Sequence, residues 1–319
     1  MKVVVTGAAG FLGARVADAL LTKQPHCPLN VTELILTDVH TPPSRADPRV
    51  KVLALDLTKP SAAEQLIDKD CDVIFHLAAV VSGQAEAEFD FGMKANLDAT
   101  RFLLEAVRRK VPKAKFVFAS TCGVFGGDLP PIVDDLTALM PQTSYGTAKA
   151  MCELLVNDYS RRGFVDGRSV RLPTVSVRAG VANAAVTSFA SGIVREPLNQ
   201  MEAICPVPAE QELWLTSPAT VVHNIVHSAT LDAKALGKWR AINLPGLCVT
   251  VRDMIAALRA EAGDQVASLI RFQHDETIAR MVASFPMKFD NTRALKLGFA
   301  VDSNFAKVIR SYIQHDLKK

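Results

Sequence analysis

The stretch Lys2-Val3-Val4-Val5-Thr6-Gly7-Ala8-Ala9-Gly10-Phe11-Leu12-Gly13 decides the fold. A short β-branched run leads directly into three glycines spaced G-x-x-G-x-x-G, and residues 10–22 continue with a helical apolar pattern. A strand that turns on glycine into a helix is a phosphate-binding unit. Gly7 permits the tight turn, Gly10 lets the backbone approach a pyrophosphate, and Gly13 allows the helix to pack close to the sheet. The helix N-terminus adds free N–H groups and a positive partial charge. Gly7, Gly10, Phe11, Leu12 and Gly13 are therefore candidate cofactor residues.

Outward from this unit, short β-branched runs alternate with longer amphipathic stretches. Strands are expected at 2–6, 33–37, 50–54, 73–76, 115–119 and 169–172, and helices at 10–22, 61–68, 95–110 and 144–162. Apolar runs of this length between helices describe a doubly wound parallel α/β sheet, Rossmann-like in architecture. After Pro173 the loops lengthen. Helices are expected at 187–195, 217–231, 251–262, 275–283 and 304–317, and a strand at 240–244 should return to the sheet. The expected organisation is a cofactor domain over 1–172 and a smaller C-terminal substrate lobe over 173–319.

Composition narrows the function classes. The 319 residues carry 36 Lys+Arg against 33 Asp+Glu, and a net charge of +3 is no footprint for nucleic acid. With 49% hydrophobic and 22% charged residues, disorder is not expected. No apolar run approaches the ~18 residues of a membrane span, and the N-terminus lacks the apolar core of a signal peptide. Cys27, Cys71, Cys122, Cys152, Cys205 and Cys248 form no Cys-x-x-Cys pair and read as reduced, mostly buried thiols of a cytoplasmic protein. His223 and His227 stand at i and i+4, but Asn224 replaces the glutamate of a zinc-protease helix, so no metal is expected. Arg108-Arg109-Lys110 suits a helix C-terminus.

Asp38 ends the second strand, where a carboxylate can bind both hydroxyls of an adenosine ribose and so favours NAD. Val39 and His40 are not the cations that NADP would require, although Arg45 could reach back. Tyr145 and Lys149 stand at i and i+4 on one helix face. A phenol with a pKa of ~10 is a poor base at neutral pH. An ammonium one turn away favours the phenolate and can bind ribose hydroxyls. The preceding strand ends Ala119-Ser120-Thr121 at the sheet edge where ligands bind, and a hydroxyl there can hold a substrate oxygen beside Tyr145.

With these motifs the chain resembles the extended short-chain dehydrogenase/reductases, the NAD-dependent epimerases and dehydratases. The resemblance implies that Asp56 and Leu57 lie near the adenine and that Leu77, Ala78 and Ala79 form the loop after the fourth strand. It implies that Asn96 positions the active-site lysine, that Thr121 takes the triad hydroxyl position, and that Pro173 meets the nicotinamide amide. It also implies a homodimer formed through the two long helices carrying Asn96 and Tyr145; Leu97, Phe102, Leu104 and Val107 would suit such a face or the sheet equally. Two departures narrow the choice. The 4,6-dehydratases carry Asp-Glu where this chain has Cys122-Gly123, and Phe125 and Thr174 replace the Tyr and Asn usual in nucleotide-sugar epimerases.

Segments 171–180, 183–185, 188–192 and 285–290 resemble the D-erythronate dehydrogenase branch, which oxidises a four-carbon sugar acid at C2. An anionic sugar-acid substrate needs a cation or several donors. Arg178, Asn183 and Ser188, on the segment leaving the sixth strand, are candidates, together with Ser82 and Arg195. The expected activity is NAD-dependent oxidation of a small 2-hydroxy sugar acid through Thr121, Tyr145 and Lys149. A sugar epimerase with the same triad and a non-catalytic dinucleotide sensor are the alternatives.

Overall fold

The computed structural model describes residues 1–22, 27–180 and 185–317. Its strands are β1 (Lys2–Thr6), β2 (Glu33–Asp38), β3 (Val50–Ala54), β4 (Cys71–His76), β5 (Lys115–Thr121), β6 (Asp166–Leu172), β7 (Thr174–Val175), β8 (Ala203–Cys205), β9 (Glu212–Thr216), β10 (Ala241–Asn243), β11 (Leu247–Thr250) and β12 (Ile270–Phe272). Its helices are α1 (Phe11–Leu21), α2 (Pro60–Leu66), α3 (Ser82–Ala87), α4 (Phe89–Met93), α5 (Ala99–Lys110), α6 (Ser144–Arg161), α7 (Phe189–Leu198), α8 (Pro218–Ser228), α9 (Ala233–Leu236), α10 (Val251–Ala262), α11 (Asp264–Ala267), α12 (Glu276–Ala283), α13 (Thr292–Lys296) and α14 (Phe305–His315). A π-turn over Lys94–Asp98 leads into α5.

Seven strands form one parallel sheet in the order β10-β6-β5-β4-β1-β2-β3. The order reverses between β1 and β4, so the chain opens a crevice at the C-terminal ends of these two strands. Strand periodicity explains the two layers. Val3 and Val5 enter one core with Leu34, Leu36, Val73 and Phe75. Val4 enters the other with Ile35, Ile74, Phe116 and Phe118. Helices α1 and α8 cover the first face, and α2, α5 and α6 the second.

The strand expected at 240–244 is β10, paired in parallel with β6 through Ala241↔Ser169 and Asn243↔Arg171. More than this strand returns. Val221 and Ile225 of α8, Leu244 and Phe299 fill the same core as Val3 and Val5. The division at 172/173 therefore separates two stretches of sequence, while the cofactor layer is built from both. A separate core holds the C-terminal lobe, with Ile193, Val194, Leu213, Leu215, Met254, Leu258 and Ile309. Its strands β7, β8 and β12 span two or three residues each, too few to register a period in the sequence. No helix among the described residues is long and apolar enough to cross a membrane. The six cysteines are unpaired, and all except the half-buried Cys248 are buried.

His76 at the end of β4 is fully buried, with its ring nitrogens at 2.7 Å from Thr6 Oγ1 and 3.0 Å from Thr100 Oγ1. Burial, and to a smaller extent the Lys149 cation, lowers its pKa to about 3, so the ring is neutral. The unfolded chain takes up a proton below the ordinary histidine pKa of ~6.5 and the folded chain does not, so folding stability falls as pH drops through that window, by ~1.4 kcal/mol per unit. Urea unfolding at successive pH values should give a shallower slope for His76→Gln than for the wild type; equal slopes would remove His76 as the cause.

Candidate active site

The glycine turn closes on itself so tightly that side chains are excluded. A Cβ on Gly13 would lie 2.0 Å from the Gly7 carbonyl oxygen. One on Gly7, whose φ is +71°, would lie 2.7 Å from the Ala78 nitrogen. The Ala78 N–H itself donates to Thr6 Oγ1 at 3.2 Å, tying the end of β1 to the loop after β4. Gly10 is the N-cap of α1 and offers no side-chain acceptor. The first-turn N–H groups therefore face the crevice with only a ligand or solvent to satisfy them. Asp38 Oδ2 accepts from Ala9 N–H at 3.1 Å and Oδ1 from Val39 N–H at 2.7 Å, placing a carboxylate at the rim of this turn. Arg45 is held on α1 by Asp18 (2.7 Å) and the Ala14 carbonyl (2.9 Å), so its guanidinium is engaged away from that carboxylate. A backbone cradle without Cβ atoms, an uncapped helix N-terminus and a rim carboxylate fit a dinucleotide with a free ribose diol.

The face that carries Tyr145 and Lys149 is built by α6. Its N-cap Thr143 accepts from Gly146 N–H at 3.0 Å, so the helix starts beside the turn that follows β5. Tyr145, half-buried, lies on the first turn and Lys149, buried, on the next. Lys149 Nζ donates to the Ala119 carbonyl at 2.8 Å and sits 4.6 Å from the Phe118 ring centre and 5.7 Å from that of Tyr145. Burial pushes the Tyr145 phenol up to about 12 and the Lys149 ammonium down to about 8. Thr121 Oγ1 accepts from Gly123 N–H at 3.0 Å. Asn96 occupies the π-turn, and its side chain is spent on Val80, accepting from the N–H at 2.9 Å and donating to the carbonyl at 3.1 Å. Its main-chain carbonyl accepts from Cys152 Sγ at 3.2 Å, on α6. Asn96 thus ties the loop after β4 to α6, and its amide is not directed at Lys149.

One cavity of about 400 Å³ gathers Gly7, Gly10, Phe11, Leu12, Gly13, Leu77, Ala79, Ser82, Thr121, Tyr145, Lys149, Pro173 and Arg178. Asp38, Asp56, Leu57, Ala78, Ser188 and Arg195 stand outside its lining. Asp56 is engaged by Thr58, at 3.1 Å to the N–H and 2.7 Å to Oγ1, and these bonds hold its carboxyl below the usual range. Leu57 packs into the core under α2. Arg195 donates to the Arg178 carbonyl at 2.9 Å and pairs with Glu196, so it buttresses Arg178 from behind. Asn183 lies outside the described residues. Ser82 Oγ accepts weakly from Val186 N–H at 3.5 Å across the cavity mouth.

The far wall was not assigned a role from the sequence. Leu213 and Trp214 of β9, Val282 of α12, and Phe285, Pro286 and Met287 after it close the cavity with apolar surface. These positions gather from separate elements with no motif spacing; only the run Phe285-Pro286-Met287 stands out locally. No Asp or Glu lines the cavity among the described residues. Gly146 is the other residue whose role appears only in three dimensions. A Cβ there would meet the Gly123 carbonyl oxygen at 2.2 Å and Thr143 Oγ1 at 3.1 Å. Gly146→Ala should therefore push the first turn of α6, and Tyr145 with it, away from Thr121. The expected result is a loss of ~100-fold in kcat with dinucleotide affinity changed less than about threefold, read by steady-state kinetics and a binding titration; near-normal kcat would refute the constraint.

Residues 3–205 match the description "NAD dependent epimerase/dehydratase family". The chain is 49% identical over 318 residues to the D-erythronate dehydrogenase of Haemophilus influenzae, covering 99% of this chain and 100% of that protein. It is also 49% identical over 318 residues to the D-erythronate dehydrogenase of Cupriavidus necator, covering 98% of each. Among solved structures, the nucleoside-diphosphate-sugar epimerase from Agrobacterium tumefaciens superposes with a TM-score of 0.92 at 42% identity, covering 99% of this chain and 94% of that one. The glycine cradle, the reversed strand order and the match over most of the cofactor half agree, and the chain belongs to the NAD dependent epimerase/dehydratase family.

Proposed function

We propose that the chain is an NAD-dependent sugar-acid dehydrogenase that oxidises the C2 hydroxyl of D-erythronate or a close 2-hydroxy acid. Identity of 49% along nearly the whole chain to two D-erythronate dehydrogenases carries this reading. The cavity supports it: two cations, Lys149 and Arg178, line it, and no carboxylate does among the described residues. Burial, and then the neighbouring Arg195, hold the Arg178 guanidinium below the usual arginine range, so an approaching carboxylate relieves an unfavourable charge. Its size and apolar far wall suit a small substrate.

In this reading Thr121 Oγ1 and the Tyr145 oxygen hold the substrate C2 hydroxyl between them, and Arg178 holds the carboxylate. Ser82 adds a donor at the mouth. What the bound dinucleotide supplies is a hydride acceptor. Tyr145, as phenolate, takes the hydroxyl proton while the C2 hydrogen leaves with its electron pair, and the product is the 2-keto acid. Lys149 as ammonium stabilises the phenolate. Trp214, Phe285 and Met287 keep water from the reacting carbon. Two copies are proposed to pair through the outer faces of α5 and α6. There Leu97 and Phe102 remain half-exposed and Leu154 exposed, whereas Leu104 and Val107 are used up against the sheet.

The structural likeness to a nucleoside-diphosphate-sugar epimerase favours a second reading, in which the hydride returns to the same sugar. The two differ in stoichiometry. Incubation with D-erythronate and NAD should yield one reduced dinucleotide per 2-keto acid; isomerised product without net reduction would establish the epimerase instead. Tyr145→Phe should lower kcat ~10³-fold while sparing NAD binding, and Arg178→Met should raise KM for the acid ~10-fold or more. The oxidation rate should rise tenfold per pH unit and level off near pH 8, where Lys149 gives up its charge. Wild-type-like turnover by Tyr145→Phe would defeat the assignment.

A further inference from the structure

Tyr145, Lys149 and Glu153 stand at i, i+4 and i+8 of α6, one turn apart on one face. The first two line the cavity; Glu153 lies beneath it. Its carboxylate and the Arg171 guanidinium of β6 are both 0% exposed. Arg171 Nε donates to the two carboxylate oxygens at 3.0 and 3.1 Å, and Nη2 donates to Oε2 at 2.8 Å. Ser120 Oγ donates to Oε1 at 2.5 Å. Ser120 sits between Ala119, whose carbonyl receives Lys149, and Thr121, and it pairs in register with Arg171. Arg171 is itself held by Asn243 Oδ1 (3.1 Å) and the Asp135 carbonyl (3.2 Å), with the Phe125 ring centre 4.7 Å away.

A buried ion pair is a poor source of stability, because an apolar pair of similar volume packs as well or better. This pair has a position that an apolar pair could not serve. We infer that Glu153, fixed by Arg171 and Ser120, is a positioning residue for Lys149: it pins α6 to the ends of β5 and β6 and supplies the negative charge that keeps Lys149 an ammonium. Among the described residues, the groups facing Lys149 are few. On α6 they are Tyr145, Cys152 and Glu153; from β4 comes the neutral His76; from β6, Arg171 lies behind Glu153; from β5 come only the Phe118 ring and the Ala119 carbonyl. Burial drives Lys149 toward the neutral amine, and Cys152 and then Glu153 oppose it; burial pushes the Cys152 thiol up to about 11, which leaves Glu153 as the carboxylate of the two. Arg171 and Ser120 in turn satisfy both oxygens of the Glu153 carboxylate without water.

The inference rests on the reading of Lys149 as the catalytic cation, and the test separates the two. Lysine labelled at Cε, with the Lys149 signal assigned by Lys149→Arg, is titrated by NMR in the dinucleotide-free wild type and in Glu153→Gln, which keeps the shape and loses the charge. The Lys149 pKa should fall by about one unit. An unchanged value overturns the inference. The pH–rate curve is then compared. The active state needs the Tyr145 phenolate and the Lys149 ammonium together, so below the break the rate should match wild type, the break should move down by the NMR shift, and the rate above it should fall by the same factor, ~10-fold. A purely structural role would lower the rate at every pH and leave the break in place. An NMR shift with an unmoved break would keep Glu153 as the charge partner and remove Lys149 from catalysis. Should Glu153→Gln not fold, the double variant Glu153→Met/Arg171→Met removes both charges; the nearer one is Glu153, so the Lys149 pKa should fall in the same direction by less, and no fall overturns the inference.

Discussion

Gly13 lies so close to the Gly7 carbonyl that a methyl group cannot enter, and the cofactor half of the molecule is arranged around that contact. It sets α1 against the end of β1, so the helix N-terminus opens where the strand order reverses. Gly7 is pressed in turn against the main chain at Leu77–Ala78, which fixes the loop after β4 on the other side of the crevice. Thr6 joins the same junction, bonding Ala78 N–H and the His76 ring. Turn, loop and buried imidazole thus form one unit, and neutral His76 lets the unit stay dry.

A second junction does the same for α6, which carries Tyr145 and Lys149. Gly146 lets α6 start against the Gly123 carbonyl, and the Glu153–Arg171 pair holds the helix two turns later. Between these points the positions of Tyr145 and Lys149 are set from both ends. The pair also reaches the C-terminal lobe: Arg171 stacks on Phe125, whose ring centre is 5.8 Å from that of Phe289, which lies 5.1 Å from that of Trp214 in the cavity wall. One packed path therefore runs from the apolar cavity wall to the helix that carries Tyr145 and Lys149.

The parts of this arrangement that were legible in the sequence are those with a local repeat. The strands of the main sheet up to β6 and the helices α1, α6 and α10 stand close to their expected spans, because the strands are marked by short apolar runs and the helices by several turns of apolar periodicity. The glycine spacing and the Tyr145/Lys149 interval are also local. What escaped is assembled from afar. The π-turn at Asn96 follows from bonds to Val80 that no periodicity encodes, and the helices α3 and α4 before it are single short turns. The apolar wall draws on β9, α12 and the segment after it. Asp56 and Arg195 suit a binding role by chemistry; both stand outside the cavity's lining, and each is engaged by a neighbour, Thr58 for one, Glu196 and the Arg178 carbonyl for the other. A charged side chain in sequence says what it can bind, and only packing says whether it is already bound.

The total charge of +3 illustrates the same separation of scales. It excludes a long-range field, yet the cavity is locally cationic: the buried Lys149 and the half-buried Arg178 line it, and among the described residues no carboxylate does. Burial works against the charged forms of both members of the proposed catalytic pair, raising Tyr145 and lowering Lys149. The charge-separated form that the proposed proton abstraction requires therefore competes with a form of equal proton count in which both groups are neutral. Each charge near Lys149 shifts that balance more than it shifts the one at Tyr145, because Lys149 lies deeper and nearer to Glu153. In the proposed reaction, competence at neutral pH would then depend on the carboxylate beneath the lysine as much as on the tyrosine above it.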